Sequence, residues 1–217
     1  MTEKEAILAR HSVRKYKDKA IEADVAKQIS DKVAEVNAES GLHFQFLNDE
    51  GGAYSNIILK FSGLDSAPAS IACVGKESAD LDEKVGYYGE KIVLFLQTLG
   101  LNTCWVGSFS KKRSEARVGE GERNVISIAV GYGENEGKAH KSKGEDVLVD
   151  AKADRPDWFN EGVKAALLAP TALNQQKFTI RLKDGDSAEI VSKGGPMTAI
   201  DLGIVKYHFE VGSGRKL

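Results

Sequence analysis

Two arginines and a serine alternate near the start of the chain, in Arg10-His11-Ser12-Val13-Arg14. A guanidinium group can bind two phosphate oxygens at once, and a serine hydroxyl supplies a further donor. The segment 10–19 carries five cations against one acid. These cations are concentrated where a short predicted helix gives way to an extended segment. The segment therefore predicts a site for a compact anion such as a phosphate monoester. The alternative is a solvated basic turn, because short Lys/Arg clusters are common on protein surfaces.

Two further stretches have side chains suited to the ring of a phosphorylated cofactor. Asn174 and Gln176 follow Pro170 in a loop and offer amides that both donate and accept hydrogen bonds. The stretch Trp105-Val106-Gly107-Ser108 joins a flat apolar side chain to a glycine, where backbone N–H groups can approach a ring. Each has a simpler interpretation, since Trp105 would serve equally as a core residue and Asn174 as a cap.

Other catalytic arrangements find little support. His11 and Ser12 are adjacent, but the sequence has no Gly-x-Ser-x-Gly elbow. The stretch Gly131-Tyr132-Gly133 lacks the third glycine of a dinucleotide fingerprint. No Walker loop is present and no pair of carboxylates stands out. A basic motif without an evident nucleophile, base or metal indicates chemistry supplied by a phosphorylated cofactor.

Composition excludes several broad classes. The 217 residues are 41% hydrophobic and 29% charged, with a formal net charge of -2, so nucleic acid is not an expected partner. No apolar run is long enough to cross a bilayer, and the charged N-terminus lacks the apolar core of a signal peptide. Cys73 and Cys104 are expected to be reduced and buried. We therefore expect a cytoplasmic protein without a structural zinc site.

The predicted elements interleave helices with strands. Thr2 and Glu5 form a capping-box pattern that opens a helix ending at the basic motif. Further helices are predicted over 22–38, 86–100, 156–168 and 198–211, and strands over 43–47, 69–75, 101–109, 124–130, 178–182 and 188–191. Turns are expected at 48–53 and 183–186, and a polar surface arm at 134–144. This order predicts an α/β or α+β fold with one mixed sheet.

Taken together, the motifs resemble those of the nitroreductase family of FMN-dependent oxidoreductases. Residues 10–16 resemble the family's Arg-x-Ser-x-Arg signature, and 169–178 its Ala-Pro-Ser-x-x-Asn-x-Gln-Pro-Trp. Residues 100–107 are similar to Gly-Leu-Gly-Thr-Cys-Trp-Ile-Gly, and 130–133 to the Gly-Tyr-Pro that precedes a basic arm. The matches cover most of the chain.

The sequence also departs from the common family pattern. The Ala-Pro segment usually follows soon after the first motif, whereas here it lies near the C-terminus. That order is similar to a subgroup of nitroreductases whose halves look duplicated and exchanged. Lys177-Phe178 replaces Pro-Trp, and Gly107-Ser108 stands where some members have Glu-Gly. The chain is therefore expected to form one nitroreductase-like domain over 1–217, or two pseudo-duplicated halves sharing one core.

The resemblance implies an α+β, FMN-binding sandwich with a mixed central sheet flanked by helices. Arg10, Ser12 and Arg14 would hold the FMN phosphate, with a further cation from Lys141 or Lys143. A backbone N–H near Gly107 or Ser108 would face flavin N5, and the loop from Pro170 to Asn174 would border the ring and ribityl chain. The predicted cofactor-binding residues are Arg10, His11, Ser12, Arg14, Trp105, Val106, Gly107, Ser108, Lys141, Lys143, Pro170, Thr171, Ala172, Asn174 and Gln176.

The implied function is that of a flavoprotein, a homodimeric NAD(P)H:acceptor oxidoreductase. NAD(P)H would reduce the flavin, which would pass hydride to a nitroaromatic, a quinone or a similar small acceptor. The alternatives are a flavin-fragmenting or reductive-dehalogenase-like enzyme of the same fold, or a non-catalytic flavin-binding protein. The resemblance assigns no catalytic side chain and no metal, and it implies no membrane or nucleic-acid partner.

Overall fold

The computed structural model describes residues 1–48, 51–64, 66–151, 154–183 and 187–217. The helices, in chain order, are α1 (Glu3–Ala9), α2 (Ala23–Ser40), α3 (Ile57–Phe61), α4 (Leu81–Thr98), α5 (Glu145–Leu148), α6 (Asp157–Ala166) and α7 (Thr198–Ser213). The strands are β1 (Gln45–Asn48), β2 (Ala69–Lys76), β3 (Asn102–Val106), β4 (Glu122–Gly131), β5 (Val149–Asp150), β6 (Phe178–Lys183) and β7 (Ser187–Ser192).

The chain forms two compact units. Unit 1 comprises residues 1–9, 82–91 and 139–217, and unit 2 comprises residues 10–81 and 92–138. Unit 1 therefore contains α1, α5, α6 and α7 with strands β5 to β7, and unit 2 contains α2, α3 and strands β1 to β4. Helix α4 contributes residues to both.

Unit 2 is built on an antiparallel sheet with strand order β1-β2-β4-β3. Strand β2 is buried over seven of its eight residues, which explains its continuous apolar sequence. Helix α2 buries Ile29, Val33 and Val36, spaced as one helical face, and ends at Gly41 in the left-handed conformation. A separate cluster that includes Tyr54, Leu64 and Phe109 packs on Cys104 of β3 and Ala129 of β4.

Unit 1 places α6 against α7 beside a sheet in which β5 runs parallel to β6 and β6 antiparallel to β7. Helix α7 is buried along most of its length. It crosses α4 so closely that a Cβ atom on Gly86 would overlap the carbonyl oxygen of Ile200. A Cβ atom on Gly203 would likewise overlap the carbonyl oxygen of Glu83. This reciprocal contact requires glycine on both helices.

The structure confirms the α+β class and the predicted helices and strands, with shifted ends. Helix α4 begins at Leu81 rather than at Gly86. Gly86 lies inside the helix, at the point where α4 packs closely against α7. The strands are distributed differently from the prediction: they form two sheets, and the four-stranded one is antiparallel throughout instead of mixed. Helices α3 and α5 and strand β5 were not predicted.

Parts of two predicted turns fall outside the described residues, namely 49–50 and 184–186. Residues 51–54, at the end of the first turn, form a 3-10 turn. No helix within the described residues is long and apolar enough to span a membrane. The organisation as one domain, or as pseudo-duplicated halves sharing one core, stays a prediction.

Candidate functional site

In unit 2 the arginine–serine motif lies along the edge strand β3. Ser12 forms a parallel bridge with Thr103, and the Val13 backbone N–H donates to the Thr103 carbonyl oxygen at 3.0 Å. Alternate residues of an extended segment point to the same side, so Arg10, Ser12 and Arg14 form one row. Val13 points away from this row and is buried. We call residues 10, 12 and 14 the arginine row.

The arginine row runs from the interior to the surface. Arg10 is only 4% exposed, Ser12 is half-buried and Arg14 is exposed. Burial raises the pKa of the Cys104 thiol on β3, and the charges of Arg14 and Arg10 oppose that rise. Both guanidinium groups therefore lie within electrostatic reach of Cys104. The result is a cationic row that begins in the protein interior and ends at the surface, with two guanidinium groups of the kind that bind phosphate oxygens in pairs.

The end of β4 and the residues after it, Gly131-Tyr132-Gly133, pair with the continuation of the same segment. Tyr16 forms an antiparallel bridge with Gly133, and the Lys17 backbone N–H donates to the Tyr132 carbonyl oxygen at 2.8 Å. Gly137 comes so close to His11 that an added Cβ atom would lie 2.7 Å from the His11 Cβ. Three of the four motifs that carried the resemblance are thus neighbours within unit 2.

The Trp105–Ser108 stretch leaves β3 as a turn whose exposed residues are Gly107 and Ser108. Trp105 is half-buried, and Val106 is buried in the cluster around Tyr54. The side chain of Asn56 fixes this turn. Its Nδ2 donates to the Ser108 carbonyl oxygen at 2.8 Å, while its Oδ1 accepts the Leu59 backbone N–H and caps α3. Sequence analysis missed Asn56, although an asparagine before an apolar run is a recognisable N-cap signal.

In unit 1 the predicted cofactor loop, residues 169–178, has an unusual backbone. Leu173, Asn174 and Gln176 have positive φ angles of 52°, 54° and 45°. Non-glycine residues seldom adopt this conformation, and each such residue typically costs about 1–3 kcal/mol. Leu173 is also fully exposed, so its own packing does not hold it there. The loop must therefore be held by contacts with the rest of unit 1.

One set of contacts ties the loop to the basic arm. The Gln176 Nε2 donates to the Lys141 carbonyl oxygen at 3.0 Å and to the Asn174 Oδ1 at 2.7 Å. Its Oε1 accepts the Lys143 backbone N–H at 2.7 Å. The Asn174 Nδ2 also donates to the Lys141 carbonyl oxygen, at 3.0 Å. The Gln176 amide is buried and used within the chain, so its part in contacting a ring stays a prediction.

The two predicted arm lysines differ. The Lys143 Nζ donates to the Gln175 carbonyl oxygen at 2.6 Å and helps to hold the loop. The Lys141 side chain is exposed, and no hydrogen bond or ion pair involves its ammonium group within the described residues. Of these two predicted lysines, Lys141 is therefore the one that is available to an anion.

A second set of contacts ties the loop to α7. The Asp201 carboxylate accepts the Ala172 backbone N–H at 2.8 Å and the Gln175 Nε2 at 2.7 Å. Burial raises the pKa of Asp201, and these two hydrogen bonds oppose the rise. The half-buried Thr171 accepts the Gln176 backbone N–H at its Oγ1. Sequence analysis missed Asp201, whose only signal is an acid among the apolar residues that open α7.

The predicted site residues thus form two groups, each within one unit. In unit 2 the arginine row pairs with Thr103 of β3, the strand that leads into the Trp105–Ser108 stretch. In unit 1 Lys141 and Lys143 are brought together with the loop that contains Pro170, Ala172 and Asn174. The convergence of both groups on one ligand stays a prediction.

Several solved structures have a similar fold, and two of them are described as nitroreductases. A "putative nitroreductase" from Thermotoga maritima has 24% sequence identity and a TM-score of 0.71, over 98% of this chain and 83% of that chain. An FMN-dependent nitroreductase from Clostridium difficile has 21% identity and a TM-score of 0.51, over 63% of this chain and 91% of its own. A "putative NADH oxidase" from Clostridium acetobutylicum has 20% identity and a TM-score of 0.51, over 66% of this chain and 96% of its own. These matches show a nitroreductase fold.

The family model described as "Putative TM nitroreductase" matches residues 3–213. The chain belongs to this family. The comparison with curated proteins found no match. Family membership confirms the resemblance that the sequence motifs indicated.

Proposed function

We propose that the protein is an FMN-dependent oxidoreductase that transfers hydride from NAD(P)H, via the flavin, to a nitroaromatic, a quinone or a similar small acceptor. The observation that carries the proposal is the arginine row, a buried guanidinium followed by a hydroxyl and a second guanidinium along β3. Family membership supports the reaction class. The C. difficile protein, an FMN-dependent nitroreductase, and the C. acetobutylicum protein, a "putative NADH oxidase", support FMN and NADH respectively.

The residues of the chain fit FMN in charge and in chemistry. Arg10 and Arg14 would donate to phosphate oxygens, with Ser12 as a third donor between them. Lys141 is the better candidate for the additional cation, because the Lys143 ammonium is already bonded to the loop. The exposed turn at Gly107 and Ser108 offers backbone N–H groups for flavin N5, and the Asn56 side chain keeps that turn in place.

When bound, the flavin would accept and donate hydride, so the protein needs no nucleophile or general base of its own. The chain would contribute orientation. The arginine row would anchor one end of the cofactor, and the loop from Pro170 to Asn174 would border the ring. Orientation of the two reactants is a large source of rate enhancement when it is fixed in advance.

The proposal includes a homodimer. Helix α3 exposes three apolar side chains, with Ile57 71%, Ile58 64% and Phe61 88% exposed. Exposed apolar groups of this kind commonly mark a surface that another chain covers. Sedimentation of the wild type and of Phe61→Ser tests this surface. We expect a dimer whose dissociation constant rises in the variant, and an unchanged dissociation constant would exclude α3 from the interface.

A redox cycle tests the reaction. Purified protein loaded with FMN should be bleached by NADH or NADPH and recoloured by a nitroaromatic or a quinone, both followed at the flavin absorbance. Flavin that stays oxidised under NAD(P)H but is reduced by other donors would favour a flavin-fragmenting or dehalogenase-like enzyme, or a non-catalytic flavin-binding protein. If the protein binds no FMN, the arginine row has no role in flavin binding and the alternative of an ordinary basic segment holds.

A matched pair of variants tests the phosphate contact. Arg10→Ala should weaken FMN binding by about 10- to 150-fold, because a hydrogen bond to a charged group contributes about 1.5–3 kcal/mol. Lys15→Ala removes an exposed cation of the same segment that lies outside the row, so FMN affinity should stay within about twofold. Equal losses in both variants would mean that general charge, not the row, attracts the anion.

A further inference from the structure

Asp201 is a buried carboxylate that the proposed redox function does not use. It lies in the first turn of α7 and is 5% exposed. Burying a charge is unfavourable unless hydrogen bonds compensate for the lost water. Here the two carboxylate oxygens accept from two different groups of the cofactor loop, at 2.8 and 2.7 Å.

The two contacts enclose the strained part of the loop. Ala172 precedes Leu173 and Asn174, the consecutive residues with positive φ, and Gln175 follows them. The Gln175 Nε2 also donates to the Pro196 carbonyl oxygen at 3.1 Å, just before α7. Asp201 and Gln175 therefore hold both ends of a segment whose conformation is locally unfavourable.

Only a carboxylate can make both contacts as they stand. It offers an acceptor to each of two donors, the backbone N–H of Ala172 and the Nε2 of Gln175. An asparagine at position 201 could still accept from Ala172 through its oxygen. Its own NH₂ group would then face the NH₂ group of Gln175, and two donors cannot bond each other.

We propose that Asp201, acting through Ala172 and Gln175, is a positioning residue that holds residues 172–176 ready for the flavin ring. The proposal rests on the proposed function, because the ring is that of the FMN. A loop that is already ordered does not have to be ordered when the ligand binds, and this raises affinity. Asp201 itself need not touch the flavin.

The positioning role has a signature that separates it from phosphate binding. Loss of a phosphate contact should weaken FMN but leave riboflavin, which lacks the phosphate, unaffected. Loss of loop order should weaken FMN and riboflavin by the same factor, because both carry the ring. For Asp201→Asn we expect about a tenfold loss for each flavin, equivalent to about 1.4 kcal/mol.

The experiment is a fluorescence titration of FMN and of riboflavin, combined with hydrogen exchange over residues 170–177 in the flavin-free protein. Asp201→Asn should weaken both flavins and speed exchange in this segment. The matched control is Asp157→Asn, which removes an exposed carboxylate from the first turn of α6. It should change neither quantity. Wild-type affinities and exchange in Asp201→Asn would overturn the proposal.

A second variant guards against a general folding defect. Gln175→Ala removes one of the two contacts from a half-buried loop position and leaves α7 intact. It should reproduce the loss for both flavins, and the double variant Asp201→Asn/Gln175→Ala should lose no more than the larger single effect. Additive losses would mean that the two residues act separately and would overturn the proposal. If the wild type itself binds neither flavin, the proposed function fails instead.

Discussion

The arginine row and the cofactor loop belong to different units and are held in different ways. The segment around the row is fixed by main-chain pairing, first with Thr103 and further along with Tyr132 and Gly133. The loop at 172–176 is fixed by the side chains of Gln175, Gln176 and Asp201. Main-chain pairing depends little on residue type, so the backbone of this segment should keep its conformation after side-chain substitutions of a kind that would disorder the loop.

The largest predicted effect concerns the helix that carries Asp201. Gly203→Ala places a Cβ atom against the backbone of α4. We expect the unfolding free energy to fall by about 3 kcal/mol, which lowers Tm by about 6–12 °C. Without the close crossing, alanine would instead stabilise the helix by about 1 kcal/mol. Thermal unfolding followed by circular dichroism decides between the two signs. Val211→Ala, at a half-buried position of the same helix, controls for a general sensitivity of α7.

The loop should be sensitive to its buried amide. Gln176→Ala removes the partners of the Lys143 backbone N–H and of the Asn174 side chain. We expect a loss of about 2 kcal/mol in unfolding free energy, because an unsatisfied buried polar group costs about 1–3 kcal/mol. Hydrogen exchange should accelerate over both 139–143 and 170–177. Lys177→Ala, at the neighbouring exposed position, should leave exchange in both segments unchanged. Equal effects of the two variants would contradict the claim that the Gln176 side chain holds the loop.

The segment around the row should be sensitive to its backbone instead. Lys17→Pro removes the N–H that donates to the Tyr132 carbonyl oxygen, and we expect it to cost about 1 kcal/mol. Lys17→Ala keeps this N–H and trims only an exposed side chain, so it should cost close to nothing. Urea unfolding measures both. A larger loss of unfolding free energy in Lys17→Ala than in Lys17→Pro would contradict the claim that main-chain pairing, and not side chains, holds this segment.

The smallest expected effect is a dependence on pH. Burial raises the pKa of Asp201 above its ordinary value, so its ionised form is less favourable in the folded protein than in the unfolded chain. This group's contribution to stability is complete below the unfolded pKa and is lost as pH rises through the folded pKa. The unfolding free energy of the wild type relative to Asp201→Asn should therefore fall as pH rises from about 4, the ordinary pKa of an aspartate, through the raised pKa of the folded protein. A constant difference across this range would contradict the shift.

Local sequence signals predicted much of this structure. The capping box at the first helix is confirmed, since the Glu5 backbone N–H donates to the Thr2 Oγ1 at 3.3 Å and the Thr2 backbone N–H to the Glu5 Oε2 at 2.7 Å. Gly41 caps α2 in the left-handed conformation, three residues beyond the predicted helix end at 38. Each of these features depends on residues a few positions apart, which is the range over which propensity and capping act.

Contacts between distant residues were not predictable in the same way. Asp201 bonds Ala172, and Asn56 bonds Ser108, across 29 and 52 residues of sequence. The predicted helix began at Gly86, whereas the structure places Gly86 inside α4, where the contact with Ile200 on another helix requires glycine. The division of the strands into two sheets is also decided by non-local pairing. The arginine row was predicted as a motif, but its burial and its pairing with β3 required the structure.

The central claim is that the chain binds a flavin through the phosphate of FMN. Calorimetric titration of the wild type with FMN and with riboflavin tests it most directly. We expect FMN to bind at least tenfold more tightly than riboflavin, with the difference reduced as salt rises, because the arginine row is charged. Equal affinity for the two flavins, or no binding of FMN, would contradict the account.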